Sequence, residues 1–460
     1  MINSLEDFQN VFFIGIAGAG MSALAQYLKG IDKNVSGSDR YFKAGDFNDT
    51  KNKLEAEGII CFEQNGDGIT SGTQLVIVST AVEDTVIEVR KAKQLNIPII
   101  RRSELLALIS KSKKTIAVGG TSGKSTTVAM LFEILDFAGL QPGLISGAGL
   151  TKLIKQNKIG NAAVGKGEWL VIEADESDGS IIQYKPEIGI LLNVDKDHKD
   201  LPELMELFQQ FKQNSKIFVV NASNKFAATL SQNMQQDFSS DENSDAGYVL
   251  KHFQQQGFKI SFEVNQTYFR INTPGKHNAE NALSAIAAAN NIGVDLNIAA
   301  EALQHYEGIY RRHQIIGERN GVVLIDDFAH NPAKCAASIK ACQPVGKKLI
   351  AWFQPHGYAP TKFLRNDFVK EIAEALRPQD EIWMSEIFYA GGTTTKDISA
   401  NDLVTDLKAL QKNAFFIEHR NDFAKKIKKH LTGNCVILLM GARDPSLEAF
   451  AQFVWATINC

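Results

Sequence analysis

The sequence predicts an α/β protein of three domains, and three observations carry that expectation. Short runs rich in Val and Ile alternate with stretches of helical pattern in three successive blocks. Glycines, 35 in all, recur just after the apolar runs, where strands turn into helices. The length, 460 residues, accommodates two to four domains at roughly 150 residues each. We expect a Rossmann-like N-terminal domain over residues 1–110, a central P-loop ATPase-like α/β domain over 111–313, and a Rossmann-like C-terminal domain over 314–460.

The first block opens with VFFIGIAGAG, which reads as strand, glycine loop and helix start. VSGSD, LVIVSTAV and IPIIRRSE follow as short strands, and the basic stretch SKSKK at 110–114 reads as a linker. In the second block TIAV, WLVI and IGILL are strands that each end in a polar motif. SQNMQQDFSSDENSDAG reads as a surface loop, and ISFEVNQTYFRIN alternates around Asn265-Gln266 as a hairpin should. The third block offers GVVLIDDF, KLIAWF, EIWMSEIF, AFFIEH and CVILLMG as strands, with FVKEIAEALR as an intervening helix.

Composition excludes several classes. With 49 Lys+Arg against 52 Asp+Glu, the net charge is −3, which argues against a nucleic-acid partner bound through a broad basic surface. An apolar content of 44% is incompatible with a disordered chain. No run approaches 18 apolar residues, so membrane insertion is not expected. The N-terminal MINSLEDFQN lacks the pattern of a secretory signal. Five scattered cysteines without a CxxC pair argue against a disulfide framework and a cysteine zinc site. A soluble, cytoplasmic protein is expected.

The strongest local signal is Gly119-Gly120-Thr121-Ser122-Gly123-Lys124-Ser125-Thr126-Thr127, between the strand TIAV and a helical pattern. Backbone N–H groups of such a loop cradle phosphate oxygens, aided by the helix N-terminus. Lys124 would reach the terminal phosphates, and the Ser125 or Thr126 hydroxyl would sit near Mg²⁺. Val118 stands where the general pattern has its first Gly, so the loop is a shortened variant. Glu173 and Asp175 leave the next strand end on one face, a placement suited to holding Mg²⁺. After the following strand, His198 is a candidate metal ligand or phosphate contact. Asn278 and Asn281, three apart on a helix, are suited to a purine edge, or alternatively to helix capping. The N-terminal loop Gly15–Gly20, with Asp39 about 20 residues on, has the layout of a dinucleotide fold and points to a nucleotide diphosphate. Arg312, the DDFAHNP segment and the FQPHGY segment open or follow strands of the third block. A fixed Arg there is able to neutralise phosphate charge, or simply to form a salt bridge.

In order along the chain, GTSGKSTT, EADESD, NVDKDH, GKHNAEN, YRRH and DDFAHNP resemble the Mur ligase family of peptidoglycan synthesis. The resemblance covers essentially the whole chain. It implies ATP-dependent joining of an amine to the carboxylate of UDP-N-acetylmuramate through an acyl phosphate. The acceptor it points to first is L-alanine, with a recycled tripeptide as the alternative. It implies ATP and Mg²⁺ as cofactors and a monomer or homodimer. Gly120, Thr121, Ser122, Gly123 and Lys124 would then bind the ATP phosphates. Ser125 or Thr126 with Glu173 would hold one Mg²⁺, and His198 a second. Asn278 and Asn281 would contact adenine, while Arg312, Asp327 and His330 would reach ATP from the third domain. Gly18, Ala19 and Gly20 would lie at the UDP diphosphate and Asp39 near the uridine, with Met21 and Ser22 also substrate-binding, and His356 near the acceptor. Lys124, Glu173, His198, Arg312 and His356 form the implied catalytic set.

The chain departs from the family's usual pattern at several points. Ser122 replaces a His, Ser125 a Thr, Phe328 a Tyr and Gly357 an Arg, and GARDP replaces a more Gly-rich turn. Neither Lys212 nor Lys216 aligns with the carbamylated Lys of other members. A sugar-nucleotide-binding homologue without catalysis is therefore a further reading. A nicotinamide-dependent oxidoreductase would leave Lys124 and Glu173 without a role.

Overall fold

The structure is a computed structural model that describes residues 2–43, 45, 47–80, 82–195, 200–389, 391 and 395–459. Contacts divide the chain into two compact units. One comprises Met1–His252, Phe262–Arg270 and Ala279–Ile309; the other comprises Phe253–Ser261, Ile271–Asn278 and Tyr310–Cys460.

The first unit holds two parallel sheets. The N-terminal one is built from β1 (Asn10–Ile14), β2 (Asn34–Asp39), β3 (Ile60–Glu63), β4 (Leu75–Val78) and β5 (Ile99–Arg101) in the order β3-β2-β1-β4-β5. Val11 to Ile14 are all buried, as expected of a central parallel strand covered on both faces. The sequence reading missed β3, whose ICFE segment is neither strongly alternating nor fully buried. The next sheet contains β6 (Lys114–Gly119), β7 (Gly143–Ile145), β8 (Ala162–Ala163), β9 (Trp169–Glu173), β10 (Ile188–Leu191) and β11 (Ile217–Val220). Their order is β11-β10-β6-β9-β7-β8, with only β7–β8 antiparallel.

A polar tie joins these two sheets within the unit. Gln26, buried on the helix Ala19–Gly30, donates to Asn161 Oδ1 at 2.8 Å. Asn161 Nδ2 in turn donates to Ala19 O at 2.7 Å and to Ser22 Oγ at 3.0 Å. One apolar cluster, including Phe13, Leu24, Leu170 and Phe211, runs through both sheets.

The segment read as a surface loop is not wholly one. Its Phe238–Ser239 forms β12, parallel to β13 (Tyr248–Val249). Asp237, Phe238 and Ser239 are buried. The Asp237 carboxylate is satisfied by the amide of Val220 at 2.8 Å and by the Ser231 hydroxyl, so a locally polar sequence is drawn inside. A three-stranded sheet follows: β14 (Lys251–Gln256), β15 (Lys259–Val264) and β16 (Thr267–Ile271). The expected hairpin joins β15 and β16 through Asn265 (φ 48°) and Gln266 (φ 65°), both left-handed as a type I′ turn requires.

The second unit is a six-stranded sheet of order β17-β18-β22-β19-β20-β21. Its strands are β17 (Gln314–Arg319), β18 (Val322–Asp327), β19 (Lys348–Gln354), β20 (Glu381–Ser385), β21 (Ala414–Ile417) and β22 (Cys435–Gly441). All pairs are parallel except β17–β18. β17 is an antiparallel edge strand that the sequence reading did not foresee. Apolar cores lie on both faces, one around Ile339, Phe353 and Leu403, the other around Trp352, Phe423 and Phe450. The unit opens on a buried ion pair: Arg311 donates to Asp326 through Nε (2.7 Å) and Nη2 (3.2 Å). The same guanidinium donates to Gly441 O at 3.0 Å, which ties the chain entering the sheet to the end of β22.

Asp326→Ala leaves the Arg311 guanidinium buried without a counter-charge. The expected loss is about 3–5 kcal/mol, read as a lower urea midpoint for the unfolding transition.

Candidate functional site

In the first unit the site grows from the C-terminal ends of β9, β6 and β10. Parallel register sets Val118 beside Glu173 and Gly119 beside Leu191, so three polar segments emerge at one edge. The loop after β6 leads directly into the helix Lys124–Phe137. Gly120 (φ 130°) and Gly123 (φ 90°) bend it in conformations that favour glycine. A Cβ on Gly123 would lie 2.3 Å from Asn281 Oδ1, so both backbone and space demand glycine there.

Asn193 clamps the loop from the neighbouring strand end. Its Oδ1 accepts from the Ser122 amide and the Thr121 hydroxyl, each at 2.8 Å, and its Nδ2 donates to Ser122 O at 3.1 Å. Lys124 Nζ donates to Gly120 O at 2.7 Å and to Glu176 Oε2 at 2.8 Å. Burial works against the Lys124 charge, but Glu176, Asp175 and Glu173 outweigh it and hold the ammonium pKa above its usual value. Burial pushes the Glu176 carboxyl up, while Asp175 is held low against its own burial by Lys124 and the Ser177 amide.

Glu173 Oε1 accepts from Ser146 Oγ and the Gly147 amide, both at 2.7 Å. The Ser125 and Thr126 hydroxyls sit in the first turn of the helix, partly exposed, and neither hydrogen-bonds to any described residue. Thr127 is instead buried, its hydroxyl 3.2 Å from Ser284 Oγ. Two free hydroxyls and a pinned carboxylate are hard oxygen donors of the kind Mg²⁺ prefers, with phosphate oxygens completing such a set. No cluster of three His, Cys, Asp or Glu suited to a metal occurs among the described residues. His198 lies outside the described residues. Asn281 borders the loop at Gly123 and its carbonyl accepts from Ser284 Oγ.

The N-terminal glycine loop is organised by β2. Gly15 (φ 79°) and Ile16 donate to Ser38 O, and Ala17 N donates to Asp39 Oδ2 at 3.0 Å. Asp39 Oδ1 accepts from Tyr41 N, also at 3.0 Å, so both carboxylate oxygens shape the loop. Gly18 caps the helix that follows, leaving the Ala19 and Gly20 amides at its N-terminus without acceptors among the described residues. Met21 and Ser22, expected from the sequence at the substrate, follow in the first turn of that helix. Their amides donate to Gly18 O and their side chains are buried. Arg102, which sequence spacing did not flag, packs against Gly20 and lies 3.5 Å from Asp178. It is 82 positions from Gly20 along the chain, and only folding brings the two together.

In the second unit Arg312 and Arg311 divide their roles. Arg311 is buried in its ion pair, whereas Arg312 is partly exposed, 5.3 Å above the Phe328 ring, with no carboxylate partner among the described residues. Asp327 is buried, accepts from the His313 amide at 3.1 Å, and is held low against its burial chiefly by His313 and Arg312. It therefore faces inward and orients the Arg312 segment. Asn278 donates to Pro274 O at 2.7 Å and to Thr273 Oγ1 at 3.2 Å, within its own turn.

Four of the chain's nine histidines pair here: His277 with His313, and His330 with His356, with ring centroids 5.4 and 5.5 Å apart. Burial drives the His330 imidazole down to about 4, helped by the cations and His356 around it. Its Nδ1–H donates to Phe328 O at 2.8 Å in the neutral ring, leaving Nε2 as an acceptor. Burial, then Arg443, lowers His356 as well.

Residues 10–114 match the Mur ligase family catalytic domain, 118–289 the Mur ligase middle domain, and 311–443 the Mur ligase glutamate ligase domain. The UDP-N-acetylmuramate–L-alanine ligase of Carboxydothermus hydrogenoformans is 33% identical over 450 residues, covering 94% of this chain and 93% of the relative. That of Syntrophomonas wolfei is 32% identical, covering 94% of each. The crystal structure of the UDP-N-acetylmuramate–alanine ligase of Thermotoga maritima superposes with a TM-score of 0.80 at 27% identity, covering 98% of this chain and 99% of that one. A murein peptide ligase of Psychrobacter arcticus shares the fold, with a TM-score of 0.65 at 22% identity. With domains of one family matched in order and relatives above 30% identical along almost its full length, the chain belongs to the Mur ligase family.

Proposed function

We propose that this protein is an ATP- and Mg²⁺-dependent ligase that joins L-alanine to the carboxylate of UDP-N-acetylmuramate. The observation that carries the reading is Lys124, a partly buried cation held at a helix N-terminus and flanked by the carboxylates of Glu173, Asp175 and Glu176. That arrangement fits phosphoryl transfer, in which catalysis is mostly positioning and charge neutralisation. The nature of the two substrates is supported by the full-length likeness to ligases carrying that name.

When bound, ATP and Mg²⁺ would supply the phosphoryl group and the charge neutralisation that activation of a carboxylate needs. Ser125, Thr126 and Glu173 would be the oxygen donors that hold the metal. Glu176 keeps the Lys124 ammonium charged and extended beside the loop, so that a phosphate meets a preorganised cation. The Ala19 and Gly20 amides are the donors for the UDP diphosphate, with Asp39 and Arg102 bracing that loop. In the second unit Arg312 is a cation able to engage phosphate, whereas His330, expected from the sequence at ATP, is neutral with only its Nε2 acceptor free and so offers a phosphate oxygen no donor. No described helix is long and apolar enough to cross a membrane.

Phosphate release from ATP, measured with UDP-N-acetylmuramate and a panel of amines, should occur with L-alanine. Turnover only with the L-alanyl-D-glutamyl-diaminopimelate tripeptide would replace the acceptor; tight sugar-nucleotide binding without any turnover would replace ligation by binding alone. Lys124→Ala should lower kcat by about a hundredfold or more, with binding of the UDP-sugar unchanged by calorimetry. Gly123→Ala forces a Cβ into Asn281 at a left-handed φ. Its ATP affinity should fall about tenfold, while near-ultraviolet circular dichroism remains that of the unmodified protein.

A further inference from the structure

We propose that Arg443 binds the α-carboxylate of the acceptor amino acid, its planar guanidinium facing the two carboxylate oxygens. The proposal rests on the ligase reading above and names the residue that selects an amino acid over other amines.

Arg443 has a left-handed backbone, φ 64°, which costs a non-glycine residue energy and is sustained only where the surroundings impose it. Those surroundings are visible on both sides. Arg311 holds Gly441 O at 3.0 Å, and Arg420 bonds the carboxylate of Asp444, itself buried. The turn after β22 is thus pinned at its first residue and again just past Arg443, which leaves the strained side chain projecting from a fixed base.

The position is functional by topology. β19 and β22 are parallel neighbours in a register that aligns Gln354 with Gly441. His356 and Arg443 each stand two residues past that pair, so both emerge at the C-terminal edge of the same sheet, where ligands of α/β folds collect. Gly357, next to His356, has φ 75° and no side chain, so the loop after β19 contributes no cation of its own there. The other arginines of this edge are engaged: Arg311 with Asp326, Arg420 with Asp444 and Gln354. Arg312 stacks on Phe328 and is assigned above to phosphate. Arg443 is exposed and has no hydrogen-bond or ion-pair partner among the described residues. Burial, and then this guanidinium, lowers the pKa of the His356 imidazole at the same edge. An unengaged guanidinium at the same sheet edge as an imidazole matches an amino acid, whose carboxylate needs a fork of N–H donors and whose amine needs a neighbour able to accept a hydrogen bond.

The test compares L-alanine with L-alaninamide, which keeps the amine and removes the carboxylate charge. Arg443→Gly suits the left-handed backbone, so its melting temperature should equal or exceed that of the unmodified enzyme, and any loss of activity reports the guanidinium. The KM for L-alanine should rise about tenfold to a hundredfold, with the KM values for ATP and UDP-N-acetylmuramate unchanged and the preference over the amide abolished. Arg443→Lys, which keeps the charge without the fork, should fall between. An unchanged KM for L-alanine in Arg443→Gly, or a rise for ATP or the UDP-sugar instead, overturns the proposal while leaving the ligase reading intact. If the unmodified enzyme uses a different amine, the acceptor reading fails and the same acid–amide comparison on that amine decides Arg443. No turnover with any amine rejects both.

Discussion

The chemistry of the first unit depends on the parallel pairing of β6 with β9 and β10. Because these strands run the same way and end together, Glu173, the glycine loop and Asn193 reach one edge of the sheet. Hydrogen bonds between the strand ends then fix the loop: Asn193 takes the Ser122 amide and the Thr121 hydroxyl, and Lys124 spans Gly120 and Glu176. The helix that starts at Lys124 contributes its N-terminal dipole at the same spot. Without the register, the same residues would be scattered donors and charges with no common focus.

Charge in this protein is placed rather than accumulated. The chain carries more acid than base, 52 against 49, yet the proposed reactants are anions. Neighbouring arginines illustrate how the fold manages this. Arg311 is turned inward by a left-handed backbone and is spent on Asp326 and Gly441 O, a structural pairing. Arg312, one residue on, is left partly exposed over an aromatic ring, where a cation remains available. Lys124 is treated in a third way: it is partly buried, and the carboxylates around it hold its pKa above the usual value. In each case burial and the identity of the partner, not the residue type, decide whether the cation stabilises the fold or awaits an anion.

Much of the architecture was legible in the sequence because it rests on local rules. Continuous apolar runs such as VFFI and CVILLMG identify strands buried on both faces, and glycine at the following turn marks the entry to a helix or loop. Asn265-Gln266 identified its hairpin through the left-handed turn that joins β15 to β16. The exceptions share a cause. β3 and β17 are partly exposed edge or near-edge segments with weak patterning, and β12 was concealed in a polar stretch because Asp237 finds its partners in Val220 and Ser231. Burial of a polar residue depends on what meets it in space, which spacing along the chain does not encode.

The same division holds for the site. The sequence by itself determined the phosphate loop, the acidic strand end and the order of motifs, since each needs only a few adjacent residues in a strand-to-helix context. Only the tertiary structure decided which of these side chains lie at the strand-end loops and which are buried in the core. It turned Met21 and Ser22 inward, set Asp327 against His313, brought Arg102 to Gly20, and placed Arg443 at the same sheet edge as His356. These outcomes follow from strand register, backbone handedness and competition for hydrogen-bond partners, which are properties of residues distant in sequence and close in space.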